Sequence, residues 1–229
     1  ARHIIGGSIS YKNLGEGDCE FTLKTYRDCN CEQCAALDPL AFIGIYQCQS
    51  DTDCSVLEQT GFLHRLDVPL DSIRIVEVQE YPCLIPPDVC VEEGLYRFRL
   101  SEYNLSLPDL VDESYHITHQ RCCRNITVSN IINPDSSGAT YTVEITPEAM
   151  TQDLGNSSPE FSYFPPIVIC AGQPLEFDHS AVDADGDQLV YEFCAPLNGG
   201  GASVHPDFYE TCEGAYPNPA CPPPSRWTK

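Results

Sequence analysis

Side chains alternate with a period of two along much of this chain, and that alternation restricts the fold more than any other feature. In "CEFTLKTYR", Phe21 and Leu23 share one face while Glu20, Thr22 and Lys24 share the other. "LYRFRL" sets Tyr96, Phe98 and Leu100 against Arg97 and Arg99, and "ATYTVEI" sets Tyr141, Val143 and Ile145 against Thr140, Thr142 and Glu144. Successive side chains of an extended chain point to opposite faces, so these stretches read as half-buried strands. Further strands are expected at His3–Ser10, Phe42–Cys48, Phe62–Val68, Ser72–Val78 and Tyr115–Arg121, with Gly, Pro, Asn or Asp in several of the gaps. Such spacing predicts sandwiches rather than βαβ units. The two helix-like stretches, "CEQCAALDPLA" and "PEAMTQDL", each last a turn or two before a breaker, so little helix is expected.

A chain of 229 residues exceeds one typical domain. The stretch "MTQDLGNSSPEFSYFPP" is polar, then proline-rich, and has the composition of a linker. It divides an expected N-terminal β-sandwich, residues 1 to 150, from a second β domain, residues 157 to 229, that ends in the proline-rich "EGAYPNPACPPPSRWTK". The expected fold class is all-β, with two disulfide-rich β-sandwich-type domains.

The chain carries 12 basic and 34 acidic residues, a net charge of −22, which repels phosphate backbones and anionic lipid. Nucleic acid is therefore an unsuitable partner. No run approaches the roughly 18 apolar residues of a membrane span, and "ARHIIGGSIS" lacks the apolar core of a signal peptide, so it reads as a processed N-terminus.

Fourteen cysteines form an even set far above ordinary usage, which points to an oxidising, extracellular setting with up to seven disulfides. "CNCEQC" brings Cys29, Cys31 and Cys34 close enough to face one soft metal, but no fourth ligand stands nearby, and disulfides are the simpler expectation. Cys48 with Cys54, Cys83 with Cys90 and Cys212 with Cys221 flank short loops, so local bridges are geometrically easy; Cys170 and Cys194 end two expected strands and are candidates for joining across the second domain. Spacing alone does not fix connectivity. Cys122 and Cys123 would point to opposite faces of a strand and so take different partners.

"FDHSAVDADGDQLVYEF" is the richest candidate site. Asp183, Asp185 and Asp187 alternate, Gly186 permits a positive φ, and Asp178 lies just upstream, a set able to turn several oxygens toward calcium. It is not an EF-hand, because the twelfth position counted from Asp183 is Cys194. The alternative is a hairpin whose aspartates cap backbone N–H groups. Enzyme signatures are missing: the chain has no Gly-x-Ser-x-Gly elbow, no His-Glu-x-x-His and no glycine-rich phosphate loop. His116 and His119 fall on opposite faces of one strand, and His64 shares a row with Phe62 and Leu66 as a core-edge histidine. Scattered acids leave a hydrolase as the least favoured class.

Several phrases, among them "HIIGGSISY", "FTLKTYRDC", "PCLIPPDVCVEEGLYRF", "YHITHQRCCRN" and "NSSPEFSYFPPIVICAGQPLEFDHSAVDADGDQLVYEFCAPL", resemble the N-terminal region of large secreted Bacteroidota surface proteins of the PKD-domain, gliding-motility-associated kind. The resemblance implies an Ig- or PKD-like second domain, export through the type IX system, and an adhesin-like role at the cell surface, with no catalytic residue. It also implies a chain that continues past Trp227, so this one reads as a piece of a longer protein or a short member. Cys31, Cys34, Cys48 and Cys54 lie outside the family pattern. Asp71-Ser72-Ile73 is similar to the Bacteroidota O-glycosylation signal, which makes Ser72 a glycosylation candidate; a turn entering a strand is the plainer reading. The expected function is a non-enzymatic, secreted structural or adhesive protein, with a carbohydrate-binding module as the alternative and Trp227, Tyr209 and Tyr216 as sugar-stacking candidates.

The second domain offers three convincing strands, near Ile167–Cys170, Leu175–Asp178 and Gln188–Phe193, too few to close a sandwich. Two outcomes follow. A neighbouring copy or another surface protein supplies a strand by β-addition, with "HIIGGSIS" as the candidate donor and a filament as the product. Otherwise the rest of the domain lies in a longer parent chain, or the second domain packs on the first.

Overall fold

The computed structural model describes residues 4–30, 35–49, 62–77, 88–105, 113–129, 134–136, 138–147, 149, 155–170 and 172–191. In chain order the strands are β1 (Ile4–Gly15), β2 (Asp18–Asp28), β3 (Leu40–Gln49), β4 (Phe62–Pro69), β5 (Ser72–Ile75), β6 (Val91–Arg99), β7 (Glu113–Arg121), β8 (Ala139–Ile145), β9 (Glu160–Phe161) and β10 (Ala181–Val182). Helical structure among the described residues is limited to short 3-10 turns such as Leu100–Tyr103 and Pro134–Ser136 and to α-helical positions at Pro147 and Ala149.

The first eight strands build an antiparallel sandwich. One sheet has the order β1-β2-β6-β5 and the other β4-β3-β7-β8. The hairpin joining β1 to β2 closes through Glu16 and Gly17, both at positive φ (54° and 77°), the twist that a two-residue hairpin turn requires. Alternation then fills the core as the sequence predicts. Tyr11, Phe21, Leu23, Tyr96 and Phe98 face inward from the first sheet, and Ile43, Ile45, Tyr115, Ile117 and Ile145 meet them from the second. Phe21 and Phe98 are register partners whose rings stack with centroids 5.0 Å apart. Each such side chain contributes about 1.5–3 kcal/mol by leaving water.

The second sheet departs from simple half-burial: Thr118 and Thr140, which alternate with the core residues, are buried as well. His116 and His119 do fall on opposite faces of β7. His119 donates from Nδ1 to the Phe42 carbonyl at 2.9 Å, and burial pushes its pKa down, so it is a neutral core residue. His64 is exposed at the outer end of its row.

Cysteine pairing differs from the local bridges expected. Cys90 bonds to Cys29 rather than to Cys83, because Asp28 pairs with Val91 in the β2–β6 ladder and brings the two Cα atoms within 5.1 Å. Cys29 is thus a disulfide cysteine and no zinc ligand. Cys122 and Cys123 bond to each other; β7 ends at Arg121, so the strand alternation that would separate them no longer applies. Cys170 is an exposed free thiol rather than one half of a bridge to Cys194, since its stretch of chain is not a strand and has no ladder to bring a partner close. Cys19 is a second free thiol, buried in the core row of β2. Cys31, Cys34, Cys54, Cys83, Cys194, Cys212 and Cys221, with Tyr209, Tyr216 and Trp227, lie outside the described residues, as does the side chain of Cys48.

Within the described residues 155–170 and 172–191, the runs at 167–170, 175–178 and 188–191 are not strands, and only β9 and β10 pair, Ala181 with Phe161 and Val182 with Glu160; residues 192–229 of the expected second domain lie outside the described residues. Ile169, Leu175 and Val190 in those runs stay largely exposed, with no facing sheet over them among the described residues. Residues 155–166, whose composition suggests a linker, instead lie against β1 and β2 as an arm. β1 itself is paired with β2, so the Ile4–Ser10 part of "HIIGGSIS", the expected donor, lies within its own chain's sheet here.

Candidate groove beside the first strand

The site begins with the edge of β1. Backbone groups of an antiparallel strand alternate between those that face the partner strand and those that point away. Tyr11 donates its N–H to Ser158 Oγ at 2.8 Å and accepts from the Ser158 N–H at 2.9 Å, while the Asn13 N–H reaches Ser157 Oγ at 3.2 Å. Tyr11 and Asn13 therefore point away from β2. Their register continues without a break to Gly7, so Ile9 and Gly7 point outward as well. At the far end Asn125 donates its N–H to the Ile4 carbonyl at 2.9 Å. Between these two covered ends, the outward groups of Gly7 and Ile9 have no hydrogen-bond partner among the described residues.

Beyond Ser158 the arm turns across the outer face of β1 and β2. Gly6, Ser8, Lys24 and Tyr26 form the floor of the resulting groove, and Phe161, Tyr163, Phe164 and Phe177 supply much of its wall. Gly6 leaves the Tyr26 ring open, and that ring meets Phe164 with centroids 5.0 Å apart. Tyr26 is fixed from beneath by Glu93. Burial pushes the Glu93 carboxyl up, but hydrogen bonds from Arg74 (2.6 and 2.9 Å) and Tyr26 outweigh it and hold it below the usual range. The groove encloses about 680 Å³, within the roughly 300–1,000 Å³ of ligand sites. Its polar groups are few: Ser8, Lys24, the Ser10 hydroxyl bonded to Glu160 at 3.3 Å, and His179, whose ring meets Phe177 edge-on at 4.5 Å.

The aspartate loop anchors this arm. Asp183 Oδ1 accepts the N–H groups of Asp185 (2.9 Å), Gly186 (2.8 Å) and Asp187 (3.0 Å), and these bonds, that of Asp187 foremost, hold its carboxyl below the ordinary range. Gly186 takes φ 86° at the bend. Asp185 Oδ2 accepts the Ser157 N–H and Asp187 Oδ2 accepts from Asn156 Nδ2, each at 2.6 Å. Asp178 caps a separate turn through the Ser180 N–H at 2.8 Å. The four carboxylates thus point to different partners, and among the described residues no three His, Cys, Asp or Glu side chains gather to hold a metal. As placed, the aspartates serve as caps of backbone and side-chain N–H groups, and a calcium ion, which takes six to eight converging oxygens, would need them to turn inward.

Ser72 lies exposed on β5, the other edge of the same sheet. The groove's aromatic wall was not foreseen. Its signal is the interleaving of Phe161, Tyr163 and Phe164 with Pro159, Pro165 and Pro166 in a segment whose polarity resembles a linker. Compared with known proteins, the chain matches no family model, no curated protein and no solved structure.

Proposed function

We propose that this chain is a non-enzymatic extracellular structural and adhesive module of a bacterial surface, and that the groove beside β1 is its contact face. The carrying observation is the exposure of Phe161 (68%) and Tyr163 (59%) in the wall of a preformed groove, since clustered exposed apolar side chains mark interaction sites. The disulfides Cys29–Cys90 and Cys122–Cys123 suit an oxidising compartment, and no helix among the described residues is long and apolar enough to cross a membrane. A carbohydrate-binding module is the second reading, favoured by the same two exposed rings, on which a sugar face can stack. Cell-adhesion and glycan-array measurements on the wild type and on a Phe161→Ala/Tyr163→Ala variant decide between them. Adhesion lost with the rings and no glycan bound supports the protein-adhesive reading. Glycan binding lost with the rings supports the second, and adhesion unchanged in the variant removes the groove from function. Polysaccharide or peptide hydrolysis abolished by mutating one acid would establish an enzyme instead.

Calcium at Asp183, Asp185 and Asp187 is a competing proposal for the loop, because ligation would require Asp185 and Asp187 to release Ser157 and Asn156. A melting temperature that rises with free calcium would establish it by mass action; identical melting in chelator and millimolar calcium leaves the capped loop. Glycosylation of Ser72 is read from peptide masses of native material, and an unmodified Ser72 peptide ends that proposal.

A further inference from the structure

The unpaired stretch of β1 has the properties of an acceptor. Gly7 and Ile9 present two N–H and two C=O groups in one outward row, and residues two apart on a strand repeat at about 6.8 Å, the spacing another strand reproduces and a sugar ring does not. The row is bounded by Asn125 at Ile4 and by Ser158 at Tyr11. That leaves seven residue steps, about 24 Å, room for some five or six extended residues. A residue lying opposite Ser8 would project onto the same face as Ser8, into the aromatic wall, which suits an apolar side chain. At the Tyr11 end the charges are acidic. Glu160 is bonded to Ser10, and burial first, then Cys19, Asp185 and Asp183, pushes the Tyr11 phenol up to about 12. The chain as a whole carries −22.

We propose that the β1 edge between Ile4 and Tyr11 accepts an extended peptide segment of a protein partner as a fifth strand of the first sheet, with an apolar residue in the groove and a cationic residue at the Tyr11 end. The proposal rests on the groove being the contact face and specifies its occupant. Main-chain bonds to Gly7 and Ile9 supply affinity, and the aromatic wall with the acidic end supplies selection.

The test uses the full chain, isotope-labelled, and a synthetic peptide of alternating threonine and valine with two terminal lysines. Binding should slow exchange of the Gly7 and Ile9 amide protons and leave those of Gly6 and Ser8, already in the β1–β2 ladder, unchanged. The same peptide N-methylated on alternate amides should bind the wild type at least about tenfold more weakly, the loss of one or two backbone bonds. Ile9→Pro should do likewise, since it removes an outward N–H that the ladder does not use. Absence of peptide binding at millimolar concentration, equal binding of the N-methylated peptide, or protection away from Gly7 and Ile9 would each overturn the acceptor. Adhesion that still depends on Phe161 and Tyr163 in any of those cases leaves the contact face standing and removes only its occupant.

Discussion

Gly155→Ala isolates the joint between the sandwich and the arm. Gly155 has φ +65°, where a β-carbon costs about 1 kcal/mol. The new carbon would also stand 2.3 Å from Asn13 Cγ, 2.4 Å from its Nδ2 and 2.6 Å from its Oδ1. Asn13 does not swing aside freely, because its Oδ1 accepts the Gly15 N–H at 2.7 Å and its Nδ2 donates to the Ala149 carbonyl at 3.3 Å. Giving up both bonds adds about 0.5–1.5 kcal/mol each, for a total of roughly 2–4 kcal/mol. Gly172→Ala is the control: φ is +75° and nothing lies within 4 Å, so only the backbone term of about 1 kcal/mol remains. Urea unfolding of the oxidised protein measures both. Combining Gly155→Ala with Asn13→Ala removes the overlapping amide, so the double variant should be at least about 1 kcal/mol less destabilised than the sum of the singles. A Gly155→Ala variant no worse than Gly172→Ala, or a cycle additive within about 0.5 kcal/mol, would refute this packing of the arm.

Asp183 has a folded-state pKa below its unfolded value of about 3.9, so its stabilisation is complete above that value and is lost as pH falls through the depressed one. Asp183→Asn should flatten the acid limb of a melting-temperature profile between about pH 2 and 5, and an unaltered limb would count against the capped loop. Replacing Cys29 and Cys90 together with serine opens a link across 61 residues and should cost about 4 kcal/mol in urea, whereas a loss below about 1 kcal/mol would mean the bridge does not constrain the unfolded chain. Alkylation followed by mass analysis should label exposed Cys170 in the native protein. Cys19, with burial and then Asp18 pushing its thiol up to about 11, should react only after unfolding. Equal rates would contradict its place in the core.

The eight sandwich strands were legible because alternation at 21–23, 96–100 and 141–145 states both the secondary structure and its inner face. What was illegible depends on partners distant in sequence. Cys90 lies nearer in the chain to Cys83 than to Cys29, but ladder register, not loop length, decides its bond. The arm reads as a linker because the serines that dock it, Ser157 and Ser158, bond to a strand edge about 147 residues earlier. The aspartate loop has the same residues whether it caps itself or binds a cation, and only the directions of Asp185 and Asp187 separate the two. β1 is weakly strand-like by composition at Gly6, Gly7 and Ser8, yet those small residues are what allow Tyr26 and Tyr141 to approach it; a Cβ on Gly7 would stand 2.7 Å from the Tyr141 ring.

The two edges of the first sheet are defended differently, and the difference explains where an opening is left. β5 shows Ile73 and Ile75 to solvent, but it is only four residues long, and Arg74 is tied to Glu93 while Asp71, just before it, is tied to Arg97 at 2.7 Å. A short edge rimmed by charges is poor at recruiting another strand. β1 is 12 residues long and would be the greater hazard if bare. The arm begins to cover it in antiparallel sense, Ser157 beside Asn13 and Ser158 beside Tyr11, and would next bring residue 160 opposite Ile9. Pro159 intervenes with its fixed φ, and Glu160 and Phe161 pair with Val182 and Ala181 instead. The chain thus leaves the edge one step before Ile9 and returns as an aromatic wall at the side of the gap rather than as a strand within it. A segment that merely protected the edge would have continued along it; this one stops short of Ile9 and sets Phe161, Tyr163 and Phe164 beside the gap, which is the apolar surface the proposed strand would meet.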